Sequence, residues 1–159
     1  MTATYEKIAT NTLGSAAATV TFSSISGAYT DLVIVFNGTA SASTSAGLQF
    51  NSDTGSNYSN TYLLGDGTSP ASGRISSATF SSQFYPNTTI GTAVINIANY
   101  SNTTTYKTIL TRWSNTDNYA STNVGLWRST AAINTVLLTG NGTNFASGST
   151  FTLYGIKAE

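Results

Sequence analysis

Short apolar or alternating runs, each closed by a cluster of Gly, Asn, Ser or Asp, recur along this chain at intervals of about 10 to 16 residues. Thr19-Val20-Thr21-Phe22-Ser23 alternates cleanly, placing Val20 and Phe22 toward a core and the threonines toward water. Leu32-Val33-Ile34-Val35-Phe36 is a continuous run rich in β-branched residues, the pattern of a strand covered on both faces or crossing the centre of a sandwich. Asn37-Gly38 after it reads as a tight turn with positive φ. Further strand candidates are Tyr5–Ala9, Gly47–Phe50, Tyr58–Leu64, Ile75–Phe84, Ile90–Ala98, Tyr106–Trp113, Asn123–Arg128, Val136–Thr139 and Phe151–Ile156. No stretch of helical length carries a 3.6-residue apolar period, so strand propensity prevails. The expected fold is all-β: an antiparallel, jelly-roll-like β-sandwich of about ten strands, forming one domain over residues 1–159. Gly65–Gly73 reads as a long surface loop.

Composition narrows the chemistry. Charged residues make up 8% of the chain, against about 25% in ordinary globular proteins, and the net charge is zero. Hydroxyls and amides must therefore cover the surface. With 40% hydrophobic and 11% aromatic residues the chain is not of disordered composition. Neither His nor Cys occurs, which excludes Cys/His metal sites, Ser-His and Cys-His nucleophile pairs and disulfides. Zero net charge removes the basic patch that nucleic acid or an anionic membrane would require. No apolar run is long enough to span a bilayer, and Met1–Lys7 lacks the pattern of a secretory leader, so neither membrane insertion nor export by that route is expected. No cofactor is expected.

Several constellations admit two readings. Asn51-Ser52-Asp53-Thr54-Gly55-Ser56-Asn57-Tyr58 spaces oxygen ligands as the start of a calcium loop does, but lacks a second carboxylate; an Asx-rich turn accounts for the same residues. Asp53 and Asp66 are a formal candidate pair for glycosidase-type acid–base chemistry, yet nothing in the sequence brings them together. Tyr58, Tyr62, Tyr85, Tyr100 and Tyr119 lie in or beside Asn/Ser-rich turns, suited either to a sugar-binding surface or to covering the sandwich edges. Asp53, Asn57, Tyr58 and Tyr100 are accordingly the candidate carbohydrate or receptor contacts. Trp113 and Trp127 read as core residues, with Arg112 and Arg128 beside them suited to stacking or ion pairing. Six Asn-X-Ser/Thr triplets are what this composition produces without glycosylation.

Three stretches carry a family resemblance. Ile8–Ser15, Val20–Ile25 and Tyr29–Val33 at the start, Phe50–Ser59 in the middle, and Gly125–Thr130 with Gly148–Ala158 at the close resemble small virion proteins of tailed bacteriophages, marine and cyanobacterial ones especially. The likeness extends over nearly the whole chain. It implies a jelly-roll-like sandwich, oligomeric, on the outside of a phage particle and made in the host cytoplasm. It further implies a non-enzymatic capsid decoration (cement) protein, a homotrimer bound to the major capsid protein. The alternative is a head- or tail-fibre tip that binds host-surface carbohydrate. Strand edges suit such contacts because they present unpaired backbone groups. Tyr5, Lys7, Ile8, Phe151, Tyr154 and Ile156 are the candidate subunit or capsid contacts.

Overall fold

A computed structural model describes residues 4–117 and 119–157; the remaining residues of the expected 1–159 domain lie outside it. Twelve strands form two antiparallel sheets: β1 (Tyr5–Thr12), β2 (Thr19–Phe22), β3 (Asp31–Gly38), β4 (Ala46–Phe50), β5 (Tyr58–Gly65), β6 (Pro70–Ala78), β7 (Ser81–Phe84), β8 (Gly91–Ala98), β9 (Lys107–Asn115), β10 (Ala120–Trp127), β11 (Val136–Thr139) and β12 (Thr150–Ile156). One sheet has eight strands in the order β1-β12-β3-β8-β9-β10-β5-β6 and the other four in the order β2-β11-β4-β7. The protein is a β-sandwich, with the apolar residues of both sheets meeting in one core. The pairing is nested, β1 with β12, β2 with β11, β3 with β8 and β4 with β7. The hairpins β5–β6 and β9–β10 widen the larger sheet.

Alternation positions the side chains. Along β9, Lys107, Ile109, Thr111 and Trp113 turn inward and Thr108, Leu110, Arg112 and Ser114 outward. Leu32, Ile34 and Phe36 of β3 enter the core, whereas Val33 and Val35 face the other side. β3 lies between β12 and β8, which explains its unbroken apolar run. Phe36 packs against Phe84, Trp113, Phe145 and Phe151 at centroid distances of 4.9–6.1 Å.

Three expectations are corrected. Asn37 and Gly38 belong to β3 and pair with Thr92 and Gly91. Gly38 is required by crowding, since a Cβ there would lie 2.3 Å from Ser149 Oγ. The positive-φ Asn-Gly pair is instead Asn141–Gly142, at 49° and 85°. The stretch Gly65–Gly73 is mostly strand: only residues 66–69 turn, with Asp66 accepting from the backbone N–H of Thr68 and Ser69. Pro70 is tolerated because it opens an edge strand. Finally, Ile75–Phe84 is not one strand, because β6 and β7 belong to different sheets.

Candidate functional site

The Asp53 turn joins β4 to β5 and is tied together from within. Asp53 Oδ1 accepts from Gly55 N (2.9 Å) and Asn57 Nδ2 (3.1 Å), while Oδ2 accepts from Trp127 Nε1 (2.7 Å) and Asn57 Nδ2 (2.9 Å). N–H donors surround the carboxylate, the opposite polarity to a cation's oxygen ligands. Burial pushes its pKa up, but the Trp127, Asn57 and Gly55 donors outweigh that and hold it below the usual carboxylate value. The Tyr58 hydroxyl donates to Asp53 O and accepts from Phe50 N, both at 3.0 Å. Its ring stacks on Trp127 at 6.4 Å and 15°.

This arrangement removes two of the expected sugar contacts. Tyr58 and Tyr100 are both 0% exposed, so neither ring offers a face to a ligand. Tyr100 instead donates to Ser26 O and accepts from Tyr29 N, pinning the segment before β3. Asp53 and Asn57 remain at the surface, engaged with each other. Asp53 and Asp66 sit at opposite ends of the eight-residue β5, roughly 25 Å apart at strand rise, which separates the formal acid–base pair.

The expected contact strands also divide. β1 is an edge strand, as expected, with Tyr5 and Lys7 exposed, Ile8 half-buried and a bulge between Lys7 and Ala9. β12 is interior, hydrogen-bonded to β1 on one side and β3 on the other, so it has no free edge to offer. Phe151 is 0% exposed against Phe36 and Phe145 and is a core residue, not a contact. Tyr154 and Ile156 are half-buried beside β1, Tyr154 meeting Tyr5 edge-on at 6.4 Å. Among the described residues Arg128 neither stacks on a ring nor pairs with a carboxylate; it donates to Ser76 O and Tyr58 O. Lys107, fully buried, donates to Thr105 O (2.8 Å) and Thr130 O (3.2 Å), and burial pulls its pKa down.

Two surfaces stand out that single residues in the sequence do not announce. The first is the outer face of the eight-stranded sheet. Thr61, Val124, Leu110, Asn96, Val33, Tyr154 and Lys7 align across seven strands, and Leu63, Thr122, Arg112, Val94, Val35 and Thr152 form the next row. Leu63, Leu110 and Val124 are 58%, 48% and 53% exposed. The second is a cleft of about 360 Å³ lined by Ser43, Thr44, Ser45, Tyr85, Asn87, Asn115 and Tyr119. It lies at the start of β4 and the end of β9, the opposite end of the sandwich from the Asp53 turn. Tyr62 meets Tyr85 edge-on at 6.1 Å below it, and burial with the nearness of Tyr62 and Tyr119 raises the Tyr85 pKa.

These shifts set the pH limits of the fold. Asp66, pulled down to about 2 by the Ser69 and Thr68 donors, and Asp53 stabilise the protein above the usual carboxylate pKa; that contribution is lost as pH falls toward 2. Burial pushes Tyr58 up to about 12, so its contribution is complete below about 10 and lost as pH rises through 12. Lys107 acts oppositely, relieving a cost as pH rises toward about 10. Melting temperature followed across pH is expected to fall at both extremes, and a Tyr58→Phe variant should flatten the alkaline limb.

No protein-family model and no curated protein matches the chain. Among solved structures it is similar, at 8% identity and a TM-score of 0.28, to a variant of alginate lyase Aly36B in complex with an alginate tetrasaccharide. It is also similar, at 10% identity and a TM-score of 0.23, to the PL-14 alginate lyase from Aplysia kurodai. Each likeness covers 82% of this chain and 72% of the other. So slight a likeness carries no weight for activity.

Proposed function

We propose that the protein is a non-enzymatic structural component of a bacteriophage particle, a capsid decoration protein that associates with its own copies as a homotrimer and with the major capsid protein. The observation that carries this reading is the outer sheet face. Leu63, Leu110 and Val124 project outward on adjacent strands, with the half-buried Val35 and Val94 beside them in the same rows. Exposed apolar patches of this kind mark protein contacts. Arg112 is the one charged residue in the middle of the two rows, so like-charge repulsion between crowded copies is small. The nested strand pairing is the arrangement a jelly roll has, in keeping with the resemblance to phage virion proteins.

Such contacts are apolar and hydrogen-bonded, so salt should weaken them little. Val124→Lys places a charge in the middle of the face, and association is expected to weaken at least about tenfold while the melting temperature stays nearly constant. Light scattering after size exclusion reads the first quantity. Imaging of the intact particle tests location: density for this protein on the head shell is expected, and density on the tail alone would overturn the decoration reading.

The second reading is a fibre-tip adhesin for host-surface carbohydrate. The observation that favours it is the cleft walled by Tyr85 and Tyr119.

A further inference from the structure

We infer that this cleft binds a neutral oligosaccharide, with Tyr85 and Tyr119 against sugar C–H faces and the Asn87 and Asn115 amides donating to sugar hydroxyls. The inference rests on the adhesin reading and gives it a site and a ligand class. The amides carry the argument. Asn87 Oδ1 accepts from the backbone N–H of Thr89, at 2.8 Å. Asn115 Oδ1 accepts from the backbone N–H groups of Asp117 and Tyr119, at 3.0 and 3.1 Å. Each oxygen is thereby committed to the protein, and the amide is held one way round. Neither Nδ2 has a partner among the described residues, so two oriented donors remain for a ligand. Ser43 adds a hydroxyl to the lining, while Thr44 Oγ1 donates to Gly140 O (2.8 Å) and Ser45 Oγ accepts from Asn141 Nδ2 (3.3 Å).

The walls are held in place before any ligand arrives. Ala40 N donates to Asn87 O (2.6 Å) and Thr44 N to Pro86 O (3.1 Å), clipping the segment before β4 to the one before β8. Thr116 N donates to Ile90 O and Asn115 N to Tyr119 O, both at 3.1 Å, tying Thr116 to the residue before β8 and Asn115 to Tyr119. A preorganised site avoids the cost of ordering loops on binding. The volume lies at the small end of the usual range of about 300–1,000 Å³, room for about one or two sugar rings.

Charge selects the class. No Lys or Arg lines the cleft, so a uronate or sialylated glycan finds no counter-charge. The β9–β10 turn carries Asp117, whose carboxylate accepts from the Thr89 hydroxyl and would repel an anion. Two aromatic rings beside amides and hydroxyls match a ligand with apolar C–H faces and neutral hydroxyl edges.

The test is an array of neutral hexose and N-acetylhexosamine oligosaccharides beside uronate-containing and sialylated ones, probed with the assembled protein and followed by calorimetry on a neutral hit. Neutral hits are expected, weakened at least about tenfold by Ser43→Trp, which fills the cleft from an exposed rim position. A Thr54→Trp control, on the exposed β4–β5 turn at the opposite end of the sandwich, should bind as the parent does. Amide NMR shifts at Ser43, Asn87 and Asn115 on the unaltered protein read the site independently of any variant. Neutral binding that survives Ser43→Trp, without shifts at those amides, overturns the cleft assignment but leaves the adhesin reading standing. Binding confined to acidic glycans overturns the ligand class. No binding to any glycan overturns both.

Discussion

Phe36→Ala is expected to lower the free energy of unfolding by about 4 kcal/mol, the range found for large-to-small aromatic substitutions in cores. The ring is 0% exposed and lies at the junction of the two layers. Phe84 reaches it from β7 of the smaller sheet, Trp113 and Phe151 from β9 and β12 of the larger, and Phe145 from the segment before β12. No single neighbour can move in to fill the gap without giving up another contact, since Phe84, Phe145 and Phe151 also pack on one another. Domains of this size are stable by about 5–15 kcal/mol, so such a loss consumes much of the margin. Urea unfolding of the two proteins reads the difference. A loss below about 1 kcal/mol would mean that the layers are not joined through this ring.

Trp127→Ala is expected to cost a similar amount, about 4 kcal/mol, and to act partly through Asp53. The indole is 2% exposed and packs between Phe50, at 5.4 Å, and Tyr58. It also supplies the shortest donor to Asp53, at 2.7 Å. Trp127→Phe keeps most of the ring and loses only that hydrogen bond, so about 2 kcal/mol is expected, the value of a bond to a charged group. In both variants the Asp53 carboxyl should titrate closer to its ordinary value by NMR, because its largest downward influence is gone. Glycan binding at a temperature where the variants remain folded should be unchanged, since the β4–β5 turn and the cleft occupy opposite ends of the sandwich. Asp53 is thus an anchor for the turn, a role that its place in a polar run conceals.

Much of the architecture was legible because alternation survives in strands such as β9 and β8, where every second residue enters the core. The sandwich and the burial of Trp113 and Trp127 follow from that pattern. β7 breaks it. Ser81, Ser82 and Gln83 are all buried, and Gln83 accepts from Thr111 Oγ1, donates to Ser81 Oγ and offers its carbonyl to Asn123. A polar strand inside the sandwich has no periodic signature, which is why β6 and β7 read as one segment. Tyr58 and Tyr100 sit in or beside turns rich in Asn and Ser, yet their rings are buried and their hydroxyls find backbone partners, as distant as Ser26 for Tyr100. The cleft is assembled from segments around residues 44, 86 and 117, and only folding brings them together.

The nesting of the strands has a consequence for how the chain is made. Thr12 and Thr150, opposite each other in β1 and β12, are 138 residues apart in sequence. On a ribosome, β1 emerges early and then waits for residues 150–156 before its one neighbour in the sheet exists. At about 5–20 residues per second that wait is on the order of 10 s. Throughout it, both backbone edges of β1 are unsatisfied, which exposes the nascent protein to pairing with another copy. The hairpins β5–β6 and β9–β10 each close over four residues and need not wait at all. Synthesis therefore leaves the edge strand β1 to be seated last, against a sheet whose centre is already in place.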